Sequence, residues 1–177
     1  MGRFKCWTKE EFAQEVVNFS WTRVIDGAAV HGTWRPNHAQ WKGEASMLSM
    51  WTYHTKTNGW ADIAQHATID PAGGIWSGRN WNAIPASNGG GGNGTSGQGP
   101  FMFEMVGDFD IGRDTLQGDQ LESALWVICA LQSKWGFEDT GVKFHRELPK
   151  TSKTCPGSGI DKGSFMELLG TYRASLS

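Results

Sequence analysis

Apolar residues recur along the chain with two different spacings, which separate predicted helices from predicted strands. The stretch TKEE at residues 8–11 has the pattern of a helix capping box. Phe12, Val16 and Val17 follow it, and we expect all three on the buried face of a helix that ends near Asn18. Helical spacing also predicts three further helices, at about residues 41–55, 119–135 and 161–174. The core side of the helix predicted at residues 119–135 carries Leu121, Leu125, Ile128 and Leu131.

Short apolar runs bounded by turn residues predict the strands. The run Ala28-Ala29-Val30 is read as a buried strand that ends at His31. ADIAQHATID and IWSGRNW flank a Pro/Gly turn at residues 70–74, which is typical of a β-hairpin. FMFEMVGDFDIG predicts a strand with Glu104 inside it, and residues 142–146 predict a short one. Strands that alternate with helices predict a single α/β domain with a central mixed β-sheet flanked by helices.

The stretch NGGGGNGTSGQGP at residues 88–100 is of low complexity, and we expect it not to pack against the rest of the protein. It resembles a phosphate-binding loop in composition, but no Gly-Lys-Ser/Thr follows it and it leads into a strand rather than a helix. We therefore expect a mobile surface loop, at most a rim of the functional site.

Composition narrows the class of protein. The chain has 177 residues with 16 basic and 18 acidic side chains, and no basic tract points to nucleic acid or a membrane surface. No apolar run approaches the roughly 20 residues of a membrane span, and the first residues lack a signal peptide. The cysteines are three and far apart, so they are not a disulfide framework. Cys129 lies in an apolar run and is expected to be buried, whereas Cys155 lies in a polar loop.

Candidate metal ligands lie in the segment FHRELPKTSKTCPG. His145 and Cys155 are ten residues apart, which fits no compact zinc finger. A catalytic zinc takes three protein ligands and leaves one position for water. His31 ends another predicted strand and could meet the other two at one edge of the sheet. An isolated histidine that binds no metal remains the alternative for each position.

The order of four segments resembles that of the zinc-dependent N-acetylmuramoyl-L-alanine amidases and peptidoglycan recognition proteins. These segments are VHGTWRP, GWADIAQHATIDPAGGIWSGRNW, FMFEMVG and FHRELPKTSKTCPG, and the resemblance covers about residues 22–158. It implies that the zinc ligands are His31, His145 and Cys155, at the edge of the sheet. Lys153 matches a catalytic lysine that would stabilise the oxyanion formed when water attacks an amide. The alternative is that Lys150 and Lys153 are two solvated charges on a loop.

One position departs from the family pattern. Many phage amidases carry a catalytic tyrosine where this chain has Gln65, and glutamine cannot act as an acid or base near neutral pH. Glu104 lies on a strand that resembles one in the wall-recycling amidases, in which a glutamate is the base. Burial would raise its pKa toward a useful range. The alternative is a structural ion pair of Glu104 with Arg79 or another cation.

Three further residues are candidates for substrate binding. His66 could line the cleft or support a ligand, and Arg79 could bind a stem-peptide carboxylate or backbone carbonyls. Trp34 is a candidate sugar-facing aromatic. Each has a purely structural alternative.

The resemblance implies a zinc-dependent hydrolase that cleaves the amide between N-acetylmuramic acid and L-alanine in peptidoglycan. The alternatives are a peptidoglycan-binding module without activity and a different zinc amidase or peptidase. We expect one catalytic domain over residues 1–177, with an N-terminal helical segment (1–20), the amidase core (22–158) and a C-terminal helix (159–177). The expected partner is peptidoglycan, with no nucleic acid or membrane, and the expected state is a monomer. A phage endolysin released through a pore, a cytoplasmic enzyme or a domain of a longer secreted protein would each fit.

Overall fold

The computed structural model of the protein describes residues 2–149 and 153–176. The strands among them are β1 (Cys6–Trp7), β2 (Val24–Gly32), β3 (Ala67–Ile69), β4 (Ile75–Ser77), β5 (Gln98–Met105) and β6 (Val142–Phe144). The α-helices among them are α1 (Lys9–Asn18), α2 (Glu44–Thr52), α3 (Gly118–Trp135) and α4 (Lys162–Ser175). None of the helices in these two ranges is long and apolar enough to span a bilayer.

All six strands form one sheet in the order β1-β4-β3-β5-β2-β6. The pairs β3–β5, β5–β2 and β2–β6 are parallel, whereas β4 is antiparallel to both β1 and β3. The expected α/β fold with a mixed sheet is therefore confirmed. The central strands β2 and β5 are almost continuously apolar and buried, which is typical of parallel strands covered on both faces.

Helix α1 begins as predicted, because the Thr8 hydroxyl accepts from the Glu11 amide and the Glu11 carboxylate accepts from the Thr8 amide. Phe12 and Val16 are buried in the core, but Val17 is 61% exposed. The prediction for Val17 was wrong, because five residues after Phe12 the helix has turned well away from the buried face. In α3, Leu125, Ile128, Leu131 and Cys129 are buried as expected, and Leu121 is partly buried against the same core.

The hairpin of β3 and β4 is confirmed, and Asp70 organises its turn. Its carboxylate accepts from the amides of Ala72 and Gly74, each at 2.9 Å, and from the Trp76 indole at 2.8 Å. Helix α2 is shorter than predicted, and its chain continues as one π-helical turn, Tyr53–Thr57. Strand β6 ends at Phe144 rather than at residue 146, since a 3₁₀ turn, His145–Glu147, begins there.

The parallel strands bring the candidate site together. His31 is the second-last residue of β2, Glu104 the second-last of β5, and His145 follows directly after β6. The carboxyl ends of parallel neighbours meet at one edge of a sheet, so the three side chains lie side by side.

Candidate metal and active site

His31, His145 and Cys155 form a compact cluster of potential metal ligands. Each residue offers one donor atom, and these atoms all lie within 4.8 Å of one another. The two imidazole rings stack with centroids 4.2 Å apart, and Cys155 Sγ lies 3.6 Å from His31 Nδ1. Donor atoms around a tetrahedral zinc are about 3.5 Å apart, given Zn–N and Zn–S distances of about 2.0 and 2.3 Å. The donor set and its size therefore fit a zinc ion.

The electrostatics of this cluster favour a bound cation. Burial lowers the pKa of His31 to about 3 and lowers that of His145, so both imidazoles are neutral and keep a lone pair. Burial also raises the pKa of the Cys155 thiol to about 12. A thiolate at this position consequently needs a positive partner, which a divalent ion would supply.

Glu104 lies in the row of side chains next to the cluster. Its Cα is paired with that of His31 on one side and that of Thr68 on the other. The residue is 8% exposed, and burial raises its pKa to about 8, while the Lys153 charge acts in the opposite direction. Arg79 is not its partner, because that guanidinium is bound to backbone carbonyls elsewhere.

Lys153 borders the same cleft as Glu104 and the three potential ligands. Its positive charge lowers the pKa of both histidines and of Glu104, so the ammonium lies close enough to act on all three groups. Lys150, the other lysine of this loop, lies outside the described residues.

The cleft above the cluster has a volume of about 1060 Å³. Its far wall is formed by α2 and the turn Tyr53–Thr57, and Trp34 and Arg35 stand at its rim. Trp34 is 64% exposed, with the Arg35 guanidinium 4.7 Å from its ring and an ion pair from Arg35 to Asp108 at 3.0 Å. A second groove, of about 860 Å³ between α1, α3 and the end of α4, contains none of the predicted site residues.

Comparison with known proteins identifies the family. The family model described as N-acetylmuramoyl-L-alanine amidase matches residues 21–158, most of the chain. The chain belongs to the N-acetylmuramoyl-L-alanine amidase family. A human N-acetylmuramoyl-L-alanine amidase is 29% identical over 134 residues, which are 72% of this chain and 20% of the human protein. The chain thus spans about a fifth of the length of that relative.

Two solved structures show the same fold. The amidase LysC from Clostridium intestinale superposes with a TM-score of 0.66 at 22% identity, over 86% of this chain and 94% of that one. A mutant of Drosophila PGRP-LB in complex with tracheal cytotoxin gives a TM-score of 0.66 at 21% identity, over 84% of this chain and 82% of that one. The amidase-family fold is thus established for this chain.

His66 is not brought to the cleft of this amidase-family protein. It is fully buried, its Nδ1 accepts from the Met102 amide at 3.1 Å, and its Nε2 donates to the Ala83 carbonyl at 2.9 Å. Burial lowers its pKa to about 3, which keeps the ring neutral as this pairing requires. The imidazole therefore joins the Ala83 loop to β5.

Arg79 also acts within the fold rather than at the cleft. Its guanidinium donates to the carbonyls of Ile63, Ile84 and Asp62 at 2.7, 2.7 and 2.9 Å. Of the two ligands considered for it, carboxylates and backbone carbonyls, the structure shows the second.

Arg79→Met should therefore lower stability. Three carbonyls would lose a charged donor, and we expect the free energy of unfolding to fall by about 2–4 kcal/mol. Denaturant unfolding would measure this, with the exposed Arg113→Met as a matched control that should change little. Unchanged stability together with weaker binding to cell walls would instead place Arg79 in substrate recognition.

Gln65, which the resemblance matches to a tyrosine of many phage amidases, does not line the cleft. It is fully buried, and its Nε2 donates to the Thr68 hydroxyl at 2.9 Å. Its Oε1 has no hydrogen-bond partner among residues 2–149 and 153–176. Gln65 therefore supplies no proton-transfer group to the site, which leaves Glu104 as the carboxylate beside the cluster.

Asn88 is the residue that sequence reasoning missed. We expected residues 88–100 not to pack, and for Asn88 this was wrong: the side chain is fully buried and its Oδ1 lies 2.7 Å from His31 Nε2. A glycine-rich stretch carries no periodic pattern, so only the tertiary contact reveals this role. The same stretch also provides the start of β5, at Gln98.

Proposed function

We propose that this chain is a zinc-dependent N-acetylmuramoyl-L-alanine amidase that hydrolyses the amide between the lactyl group of N-acetylmuramic acid and L-alanine in peptidoglycan. The observation that carries the proposal is the His31–His145–Cys155 cluster at the floor of a cleft that Glu104 and Lys153 also line. Membership of the amidase family and the tracheal cytotoxin bound to the PGRP-LB mutant support the choice of substrate.

The three ligands would hold the ion by two neutral imidazoles and one thiolate. This donor set leaves a net positive charge, and zinc when bound would supply Lewis acidity to water and to the scissile carbonyl. His31 lies near the carboxyl end of β2, and His145 follows directly after β6. The sheet backbone therefore holds both histidines in place, so they would need little rearrangement to bind the ion.

Glu104 is proposed to move the proton. Its ionised carboxylate takes a proton from the attacking water, and the resulting carboxylic acid then gives that proton to the leaving amine of L-alanine. The apolar surroundings suit this proton transfer, because they raise the pKa of Glu104 to about 8. A metal ion bound by the neighbouring cluster would lower this pKa toward neutrality. No other described carboxylate lines the cleft.

Lys153 is proposed to stabilise the oxyanion that forms on the scissile carbonyl. Lys153→Ala should lower the hydrolysis rate by about 10²–10³-fold, the usual loss for one oxyanion donor, while zinc content stays stoichiometric. Turnover on purified cell walls and metal analysis would measure both. Lys143→Ala is the matched control, since Lys143 is exposed on β6 outside the cleft. A Lys153→Ala protein with full turnover would restrict this lysine to a solvated loop charge.

Substrate contacts are proposed at the rim. Trp34 offers an exposed aromatic face to a sugar ring, and Arg35 beside it offers a cation to stem-peptide carboxylates. His66 and Arg79 would affect substrate only through the backbone they hold.

The second candidate function is peptidoglycan recognition without hydrolysis. Recognition proteins of this superfamily that only bind typically lack the cysteine ligand, so the presence of Cys155 in the cluster favours the enzyme. Zinc content and the peptides released from purified cell walls would decide. Free peptides with L-alanine at their new N-terminus support the amidase, and a different N-terminus identifies a peptidase. Wall binding by the zinc-loaded protein without any peptide release would leave only recognition.

A further inference from the structure

The glycine-rich stretch at residues 88–100 reaches the metal cluster through its first residue. Asn88 is fully buried, and its Oδ1 lies 2.7 Å from Nε2 of His31. The opposite ring nitrogen of His31, Nδ1, is the atom that lies 3.6 Å from Cys155 Sγ. Asn88 therefore contacts the potential ligand His31 through the ring nitrogen opposite the one near Cys155.

The orientation of the Asn88 amide is fixed by its second hydrogen bond. Its Nδ2 donates to the Gly92 carbonyl at 3.1 Å, and a carbonyl oxygen can only accept. The amide oxygen must then face His31, so His31 Nε2 has to carry the proton and donate it. In a neutral imidazole the other nitrogen keeps the lone pair. Nδ1 of His31 therefore has a free lone pair for metal binding even without an ion.

The loop around Asn88 is built to hold this amide in place. The backbone N–H of Asn88 donates to Asn93 Oδ1 at 3.1 Å, which anchors the main chain that carries the side-chain amide, and the tight turn between the two residues uses positive φ at Gly89, Gly90 and Gly91. These conformations explain why the turn is rich in glycine.

A buried arginine, Arg23, binds the backbone of the same loop. Arg23 is fully buried immediately before β2, and its guanidinium donates to the carbonyls of Asn93, Thr95 and Pro100 at 2.9, 2.9 and 3.1 Å. A Cβ at Gly99 would collide with this guanidinium. The loop is thereby tied to the start of β2, the strand whose other end carries His31.

We propose that Asn88 is a positioning residue of the metal centre, which holds His31 in the Nε2-protonated tautomer and fixes its ring for zinc. The proposal rests on the zinc site of the proposed function and adds a role for the glycine-rich loop. Partners that orient a ligating histidine in this way typically contribute 10–100-fold to metal affinity. Loss of the acceptor should therefore weaken zinc binding by about that factor.

The test is carried out on the full chain with Asn88→Leu, which is similar in size but has no acceptor. Zinc affinity is measured by competition with a chromophoric chelator, and the His31 tautomer by ¹⁵N NMR of the zinc-free protein. We expect about 10–100-fold weaker zinc binding and a loss of the pure Nε2-protonated form. Asn88→Asp keeps an acceptor for His31 and should retain affinity closer to that of the parent. Ser96→Ala, an exposed change in the same loop, should match the parent in both measurements.

If Asn88→Leu fails to fold, Asn93→Ala provides the second variant, because it removes the side-chain acceptor of the Asn88 backbone N–H, which anchors this residue, and leaves the Asn88 Oδ1 acceptor present. It should weaken zinc binding less than tenfold and broaden the tautomer population. Unchanged affinity and tautomer in a folded Asn88→Leu or Asn93→Ala protein overturn the proposal. A parent protein that binds zinc but releases no peptide contradicts the proposed function and leaves the Asn88 role standing. A parent that binds no zinc overturns both.

Discussion

Cys155→Ala should lose zinc and hydrolysis together. In the proposed zinc site the Cys155 thiolate would be the one anionic ligand, and two imidazoles without it would form a neutral and incomplete site. We expect zinc after dialysis to fall from one equivalent to a small fraction, and peptide release from cell walls to fall to background. Metal analysis and the release assay check these two results.

The control for this variant is Cys6→Ala. Cys6 is exposed in β1, at the edge of the sheet opposite β6, and its removal should change neither zinc content nor activity. The fold should survive in both variants, because Cys155 lies outside the hydrophobic core. Stoichiometric zinc with normal turnover in Cys155→Ala would show that the metal is held by other residues.

Glu104→Gln should keep zinc but lose at least about 10²-fold in hydrolysis rate, the usual scale for a general base. Glutamine preserves the size of the side chain and cannot take the proton of water. The parent rate should rise with pH as Glu104 ionises, with a midpoint below about 8 once a cation occupies the site. That pH-dependent limb should disappear in the variant.

The surface variant Glu10→Gln serves as the control, since Glu10 is exposed on α1 and does not line the cleft. Turnover, its pH profile and zinc content should all match the parent. Full activity with an unchanged pH profile in Glu104→Gln would move the base to another group.

The zinc-free protein offers an independent check on Glu104. Its pKa is raised from an ordinary 4.5 to about 8 by burial, so the folded state holds a proton that the unfolded chain releases. The stability that this proton contributes is complete below about pH 4.5 and is lost as the pH rises through about 8. Glu104→Gln should flatten this decline in denaturant unfolding measured between those pH values.

The helices and strands were predictable where local chemistry determines them. The Thr8 capping box, the apolar face of α3 and the turn at Asp70 each rest on contacts between residues close in the chain. Burial and element boundaries were less predictable. Val17 is exposed on α1. Strand β6 ends at Phe144, where the Glu147 carboxylate accepts from the Phe144 amide at 2.6 Å and a 3₁₀ turn begins. Such details depend on neighbours that periodicity does not describe.

The kinds of residue available for chemistry can be read from the sequence: histidines at two strand ends, a cysteine in a polar loop, and a carboxylate in an apolar strand. Which of these residues meet depends on long-range contacts. The parallel register places Glu104 beside His31, while hydrogen bonds direct His66 and Arg79 to backbone and Gln65 to Thr68.

Asn88 shows the physical reason for this division. Nothing within a few residues of it indicates a binding role, because its partner His31 lies 57 positions earlier in the chain. The contact exists since Arg23 and the glycine turn fold the loop back onto β2. Residue types set the possible chemistry, and long-range packing selected the pairs that can perform it.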